Sequence, residues 1–148
     1  MPPPSNHPCL HLQAVDVPFY TVKYDPADGV PPWVSERLVQ NSKQFFSVTK
    51  TYDEISVAFE DFEGAPDGSK AEEWRAIKIA GPMEFGEHVC VAVRYLVGVV
   101  CNFTEALKKA MIGVYVLSTW NTDWILIPAA KFREAQEALK SDGWKFEE

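Results

Sequence analysis

From Leu10 to Tyr24 the apolar or β-branched positions Val15, Val17, Phe19 and Thr21 alternate with polar or partly polar neighbours. That period of two predicts one strand, or two broken near Pro18. Asp25 to Gly29 reads as a turn, and Pro31 and Pro32 stand where a helix can begin, so a short helix carrying Trp33, Val34, Arg37 and Leu38 is expected to end near Asn41. Phe45 to Thr51 and Glu54 to Phe62 predict a hairpin around Thr51 to Glu54. Trp74 to Ala80 predicts another strand, stopped by Gly81 and Pro82. The period then changes. Val99, Val100, Phe103, Ala106, Leu107, Ala110 and Met111 share one face at helical spacing, with Lys108 and Lys109 near the C-terminal end where the helix dipole favours cations. Ile112 to Trp120 and Trp124 to Ile127 predict a second hairpin. Phe132, Ala135, Ala138 and Leu139 mark a last amphipathic helix, with Gly143 just past its end and a short strand, Trp144 to Phe146, behind it.

The order from Trp74 onward is β-α-β-β-α-β, the split βαβ arrangement of ferredoxin-like domains, in which two helices cover one face of an antiparallel sheet. The first half is a shorter strand, helix and hairpin, so both halves contain a helix followed by a hairpin and a diverged duplication is expected. The fold class is α+β with two such modules. Residues 1–9, with four prolines in the first eight positions, read as a disordered tail. The N-terminal, partial module is expected over 10–63, a polar linker over 64–73 and the C-terminal module over 74–148.

Composition removes several function classes. The chain has 148 residues, a net charge of −7 and three cysteines without a CxxC pair. A phosphate-tracking surface would invert the charge balance, so no nucleic acid is expected. The longest apolar run, Val89 to Cys101, is interrupted by Arg94 and is too short for a membrane span, and no secretory signal opens the chain. An odd number of scattered cysteines suits reduced thiols in a cytoplasmic protein.

Candidate chemistry is sparse. His7, Cys9 and His11 alternate and could be drawn together with His88 and Cys90, but their spacing is not that of a structural zinc site, and neither a metal nor a cofactor is expected. A thiol enzyme would need Cys90 or Cys101; Cys101, beside Val100 in the predicted helix, reads more naturally as a small buried hydrophobe. No nucleophile-elbow, zinc-protease or P-loop string is present, so no catalytic residue is assigned. The hairpin Ser118 to Trp124 is richer. Its hydroxyls, amide and carboxylate sit with two indoles at one corner, a set able to hold both charges of a zwitterion, although Asn, Thr and Asp more commonly cap a turn by bonding to their own backbone.

Three strings resemble the small tandem ACT-domain proteins, whose modules are related to those of the arginine sensor CASTOR and of aspartate kinases. The run from Phe46 to Val57, FSVTKTYDEISV, looks like that family's S-V-T-x-T-x-D-E hairpin. Trp74 to Phe85, WRAIKIAGPMEF, is similar to its strand and loop, and Ser118 to Ile127, STWNTDWILI, to its S-T-x-x-T-D hairpin. The resemblance implies paired ACT modules without catalytic residues, associated as a homodimer and binding a small amino acid at module interfaces. It implies a ligand loop and helix start at Phe85, Gly98 and Val99, faced by Thr119, Trp120, Thr122 and Asp123. Physically, a helix N-terminus at Gly98 and Val99 offers unpaired N–H groups to a carboxylate, and Asp123 suits an amino group. One departure stands out: residues 86–97, GEHVCVAVRYLV, separate Phe85 from Gly98, where relatives run directly into the helix. The alternative expectation is therefore an interaction or dimerisation module whose pocket this mostly apolar insertion fills.

Overall fold

The computed structural model describes residues 8–81 and 98–147. Among them are six strands, β1 (Leu12–Tyr24), β2 (Phe46–Lys50), β3 (Ile55–Glu60), β4 (Glu73–Ile79), β5 (Tyr115–Ser118) and β6 (Asp123–Pro128), and three α-helices, α1 (Pro32–Val39), α2 (Val99–Lys109) and α3 (Phe132–Ser141). The fold is mixed α and β with antiparallel ladders. β1 is one continuous strand that runs through Pro18, which resolves the choice between one strand and two. The Pro18 carbonyl still accepts from the Asp61 N–H at 2.8 Å, so the missing donor does not end the strand.

Two compact units result: one holds the residues up to Asp16 together with those from Arg75 onward, and the other holds Val17–Trp74. In the Val17–Trp74 unit the strand order is β2-β3-β1. Phe19 stands opposite Glu60 and Tyr24 opposite Ile55, while Phe46 stands opposite Phe59 and Lys50 opposite Ile55. α1 contributes Val34 to a buried cluster with Ile55, Val57, Phe59 and Ala65. Trp33 is the hub. Its ring lies 5.4 Å from Phe59, 5.9 Å from Phe46 and 6.3 Å from Phe62, and its Nε1 donates to the Tyr24 hydroxyl at 3.2 Å. Arg37 stacks over Phe62 at 4.2 Å and donates to Gln40, Ser42 and Gln44, which ties the loop after α1 to its own helix. Near this cluster Lys70 donates to Asp61 at 2.6 Å, and the carboxylate raises the amine above its ordinary range.

In the other unit the strand order is β1-β4-β6-β5. α2 and α3 supply Val99, Phe103, Ala106, Leu107, Phe132, Ala135 and Leu139 to a core completed by Leu10, Leu12, Ile77, Ile79, Ile112, Ile125, Ile127 and Trp144. The buried residues of α2, Val99, Phe103, Ala106 and Leu107, recur at helical spacing as the sequence predicts, but Met111, expected on the same face, lies past the end of the helix and is 88% exposed. Cys101 is a correction: it is exposed, because it lies two residues, over half a turn, from Val99 and one of the exposed faces of α2 includes it. The second hairpin also starts later than expected, at Tyr115, because Met111 and Ile112 are used to close α2. The expected final strand is reduced to a single parallel bridge, Phe146 with Leu12, flanked by hydrogen bonds from Leu12 N to the Lys145 carbonyl and from Glu147 N to the Leu12 carbonyl, both 2.8 Å.

α2 and α3 end in the same way. At α3, Trp144 N bonds the Leu139 carbonyl at 3.0 Å and Gly143 N bonds that of Lys140 at 3.1 Å, with Gly143 at φ +99°. At α2, Ile112 N bonds the Leu107 carbonyl and Met111 N bonds that of Lys108, both at 3.0 Å, with Met111 at φ +56°. Both are Schellman closures, and the second carries a side chain where glycine is favoured. A Cβ at position 143 would meet no heavy atom within 4 Å, so the cost of a side chain there is conformational and not steric. Met111→Gly is expected to raise stability by about 1 kcal/mol and Gly143→Ala to lower it by about 1 kcal/mol, read from urea unfolding midpoints.

Candidate functional site

β5 and β6 form an antiparallel hairpin in which Ser118 stands opposite Asp123, so that Thr119 to Thr122 make the turn. Thr119 N and its hydroxyl both donate to the Thr122 carbonyl at 2.8 Å, and the Thr119 hydroxyl accepts from Thr122 N at 3.3 Å. These are bonds by which a threonine closes its own turn. Thr122 is 4% exposed, and its hydroxyl donates to the Ile79 carbonyl at 2.5 Å, which fastens the turn to the end of β4. Asp123 is 8% exposed and takes the Ser118 hydroxyl on Oδ1 at 2.5 Å. Trp120 projects at the tip, 73% exposed.

The corner therefore brings Thr119, Trp120, Thr122 and Asp123 together, and the threonines spend hydroxyl bonds on the turn itself. Two partners were not among the candidates. Ser118 is legible in retrospect, because a four-residue turn places it directly across from Asp123. The Ile79 carbonyl carries no sequence signal, since any residue supplies one. On the sheet face that bears Trp124, Lys78 stands 5.5 Å from its ring centroid.

Gly98 precedes α2 at φ +82°, a left-handed conformation that glycine adopts freely, and its carbonyl accepts the first helical bond, from Asn102 N at 2.8 Å. The capping residue is a glycine and makes no side-chain capping bond, and a helix start of this kind presents backbone N–H groups suited to an anion. Val99 is 3% exposed and packs in the same core cluster as Ile79, Ile125 and Ile127. Its part in any site is thus through its backbone. Phe85 and the whole 86–97 segment lie outside the described residues. So do His7, His88 and Cys90; among the described residues no group of three or more His, Cys, Asp or Glu side chains is arranged to hold a metal ion. Nor is any helix among the described residues long and apolar enough to cross a membrane.

Comparison with known proteins adds family information to this geometry. A search of curated proteins returns no significant match. The crystal structure of a protein from Agobacterium tumefaciens is similar, with a TM-score of 0.67 at 20% identity over 93% of this chain and 91% of that one. A protein of unknown function from Vibrio cholerae, described as a possible transport protein, gives a TM-score of 0.58 at 16% identity over 89% of this chain and 91% of that one. The ligand-free regulatory subunit of aspartate kinase from Thermus thermophilus gives 0.49 at 14% identity over 90% of this chain and 95% of that one. At these identities the first two likenesses establish a shared fold. In sequence, residues 69–141, just under half of the chain, match the ACT domain family, and that stretch contains β4, α2, the Thr119–Asp123 corner and α3.

Proposed function

We propose that this protein is a non-catalytic, cytoplasmic regulatory protein built from two ACT-like modules, and that it binds a small amino acid. Asp123 takes the ligand's ammonium group. The N–H groups at Gly98 and Val99 take its carboxylate, and Thr119, Trp120, Thr122 and Phe85 shape the remainder. The observation that carries this reading is the ACT domain match, which spans both the corner and the start of α2; ACT domains are typically regulatory, small-molecule-binding domains. The chemistry is consistent with it. A carboxylate that is 8% exposed strengthens any bond it makes to a cation, and a helix N-terminus favours the opposite charge.

Isothermal titration of the full chain with each of the common amino acids tests the proposal. Binding of at least one is expected, and Asp123→Asn is expected to weaken it by about tenfold or more, the loss of one charge-assisted hydrogen bond. Heat from none of them, in a sample folded by circular dichroism, overturns the reading in favour of an interaction module whose pocket residues 86–97 fill. Thr122→Val is expected to lower stability by about 1–2 kcal/mol in urea unfolding, because the buried Ile79 carbonyl loses its hydroxyl donor. An unchanged midpoint would show that this bond does not hold the turn.

A further inference from the structure

The hairpin of the Val17–Trp74 unit closes as the candidate corner does. Lys50 stands opposite Ile55 where its turn begins, as Ser118 stands opposite Asp123. Thr51 N donates to the Glu54 carbonyl at 2.9 Å, and the Thr51 hydroxyl donates to the same carbonyl at 3.4 Å and accepts from Glu54 N at 3.1 Å. Thr119 makes the same three bonds with Thr122. The residue after each threonine is an exposed aromatic, Tyr52 at 91% and Trp120 at 73%. A helix precedes each hairpin, α1 in one unit and α2 in the other. The backbones agree, and the groups a ligand would meet do not. The counterpart of Asp123 is Ile55, fully buried with Val34, Val57 and Phe59. The counterpart of Thr122 is Glu54, whose carboxylate lies 3.7 Å from Lys23 in an exposed pair. Where α2 starts with Gly98 and Val99, α1 starts with Pro31 and Pro32, which have no N–H, and Val34 N and Ser35 N both bond the Pro31 carbonyl, at 3.0 and 3.3 Å.

We infer that the β2–β3 corner is a sealed copy of the candidate site, its ligand positions held by core residues, so that the chain takes up its amino acid through the Thr119–Asp123 corner alone and at no more than one molecule per chain. This rests on the amino-acid reading above and limits it to one unit. A zwitterion has to be met at both ends. Ile55 offers nothing to an ammonium group, and bringing a charge against that side chain would cost its hydration without return. The two prolines offer nothing to a carboxylate at the start of α1. Glu54 keeps a charge near the turn, but it is exposed and already faces Lys23, and a pair formed in water adds little. The start of α1 is also closed from within. Trp33 packs against Phe46, Phe59 and Phe62 and donates its indole N–H to the Tyr24 hydroxyl, so that helix spends its first turn on the aromatic cluster. The threonine closure that the two hairpins share is therefore a turn device, and what distinguishes a binding corner from a structural one is the residue after the turn and the start of the preceding helix.

Titration of the full chain with each of the common amino acids, followed by calorimetry and by the indole N–H signals of its tryptophans in nitrogen-15 NMR spectra, tests it. Any amino acid that binds is expected to saturate at no more than one molecule per chain and to shift the Trp120 indole while leaving that of Trp33 in place. Glu54→Gln is expected to change the dissociation constant by less than about twofold, as removal of an exposed charge does. Asp123→Asn is expected to weaken it by about tenfold or more. Saturation at two molecules per chain overturns the inference, as does a Trp33 shift equal to that of Trp120 or a tenfold loss of binding in Glu54→Gln. The failure of the amino-acid reading itself looks different: no heat and no indole shift with any of them, in a folded sample, overturns that reading and this inference with it.

Discussion

The unit that carries the candidate site is built from two stretches of chain that are far apart in sequence, and Leu12 is where they are joined. Leu12 donates to the Lys145 carbonyl and accepts from Glu147 N, while the neighbouring His11 carbonyl accepts from Ala80 N at 2.7 Å. Leu10 and Leu12 are essentially fully buried in the same core as Ile77, Ile79, Phe103 and Trp144. Remove this segment and β4 loses a neighbour, the residues after α3 lose the bridge from Phe146 to Leu12, and the core loses two leucines. A buried backbone that has lost its partners costs more than the bonds are worth when made, so the first residues of the strand constrain everything that follows.

Local chemistry was legible in the sequence where its cause was local. The stripe of Val99, Phe103, Ala106 and Leu107, the hairpin around Thr51 to Glu54 and the closure at Gly143 all follow from spacing or from one residue's backbone preference. Long-range pairing was not. Nothing in Lys145, Phe146 or Glu147 announces Leu12 as a partner, because backbone hydrogen bonds carry no side-chain signature. Pro18 illustrates the converse: proline argues against a strand, yet β1 continues through it because the ladder there needs the Pro18 carbonyl and not an N–H. Cys101 was misjudged by neighbourhood. Lying next to Val100 in sequence says little about facing, since adjacent helical residues diverge by about 100°.

The same distinction governs the candidate site. That the Ser118 to Trp124 corner is a tight polar turn could be read directly, and the structure gives each threonine hydroxyl a role in holding it. What the turn is for depends on what faces it, and facing is a property of tertiary packing. Asp123 and the start of α2 are the two groups in this set whose charge or partial charge is suited to a zwitterion, and both belong to the stretch that matches the ACT domain family.

The split of one unit into residues before Val17 and after Trp74 also imposes a schedule on the nascent chain. Every partner in the Val17–Trp74 cluster, from Tyr20 through Trp33 to Phe62, is already synthesised once Trp74 has been added. The ladders of β1, β2 and β3 can therefore assemble early, as domains emerging first commonly do. Leu10 and Leu12 must wait. Their partners arrive only with Ile77 to Gly81 and then with Trp144 to Glu147, contacts of very long sequence separation that form slowly. During that interval the N-terminal end of β1 has its apolar residues in water and its backbone groups unpaired, which makes it the part of the growing chain most in need of protection from other chains.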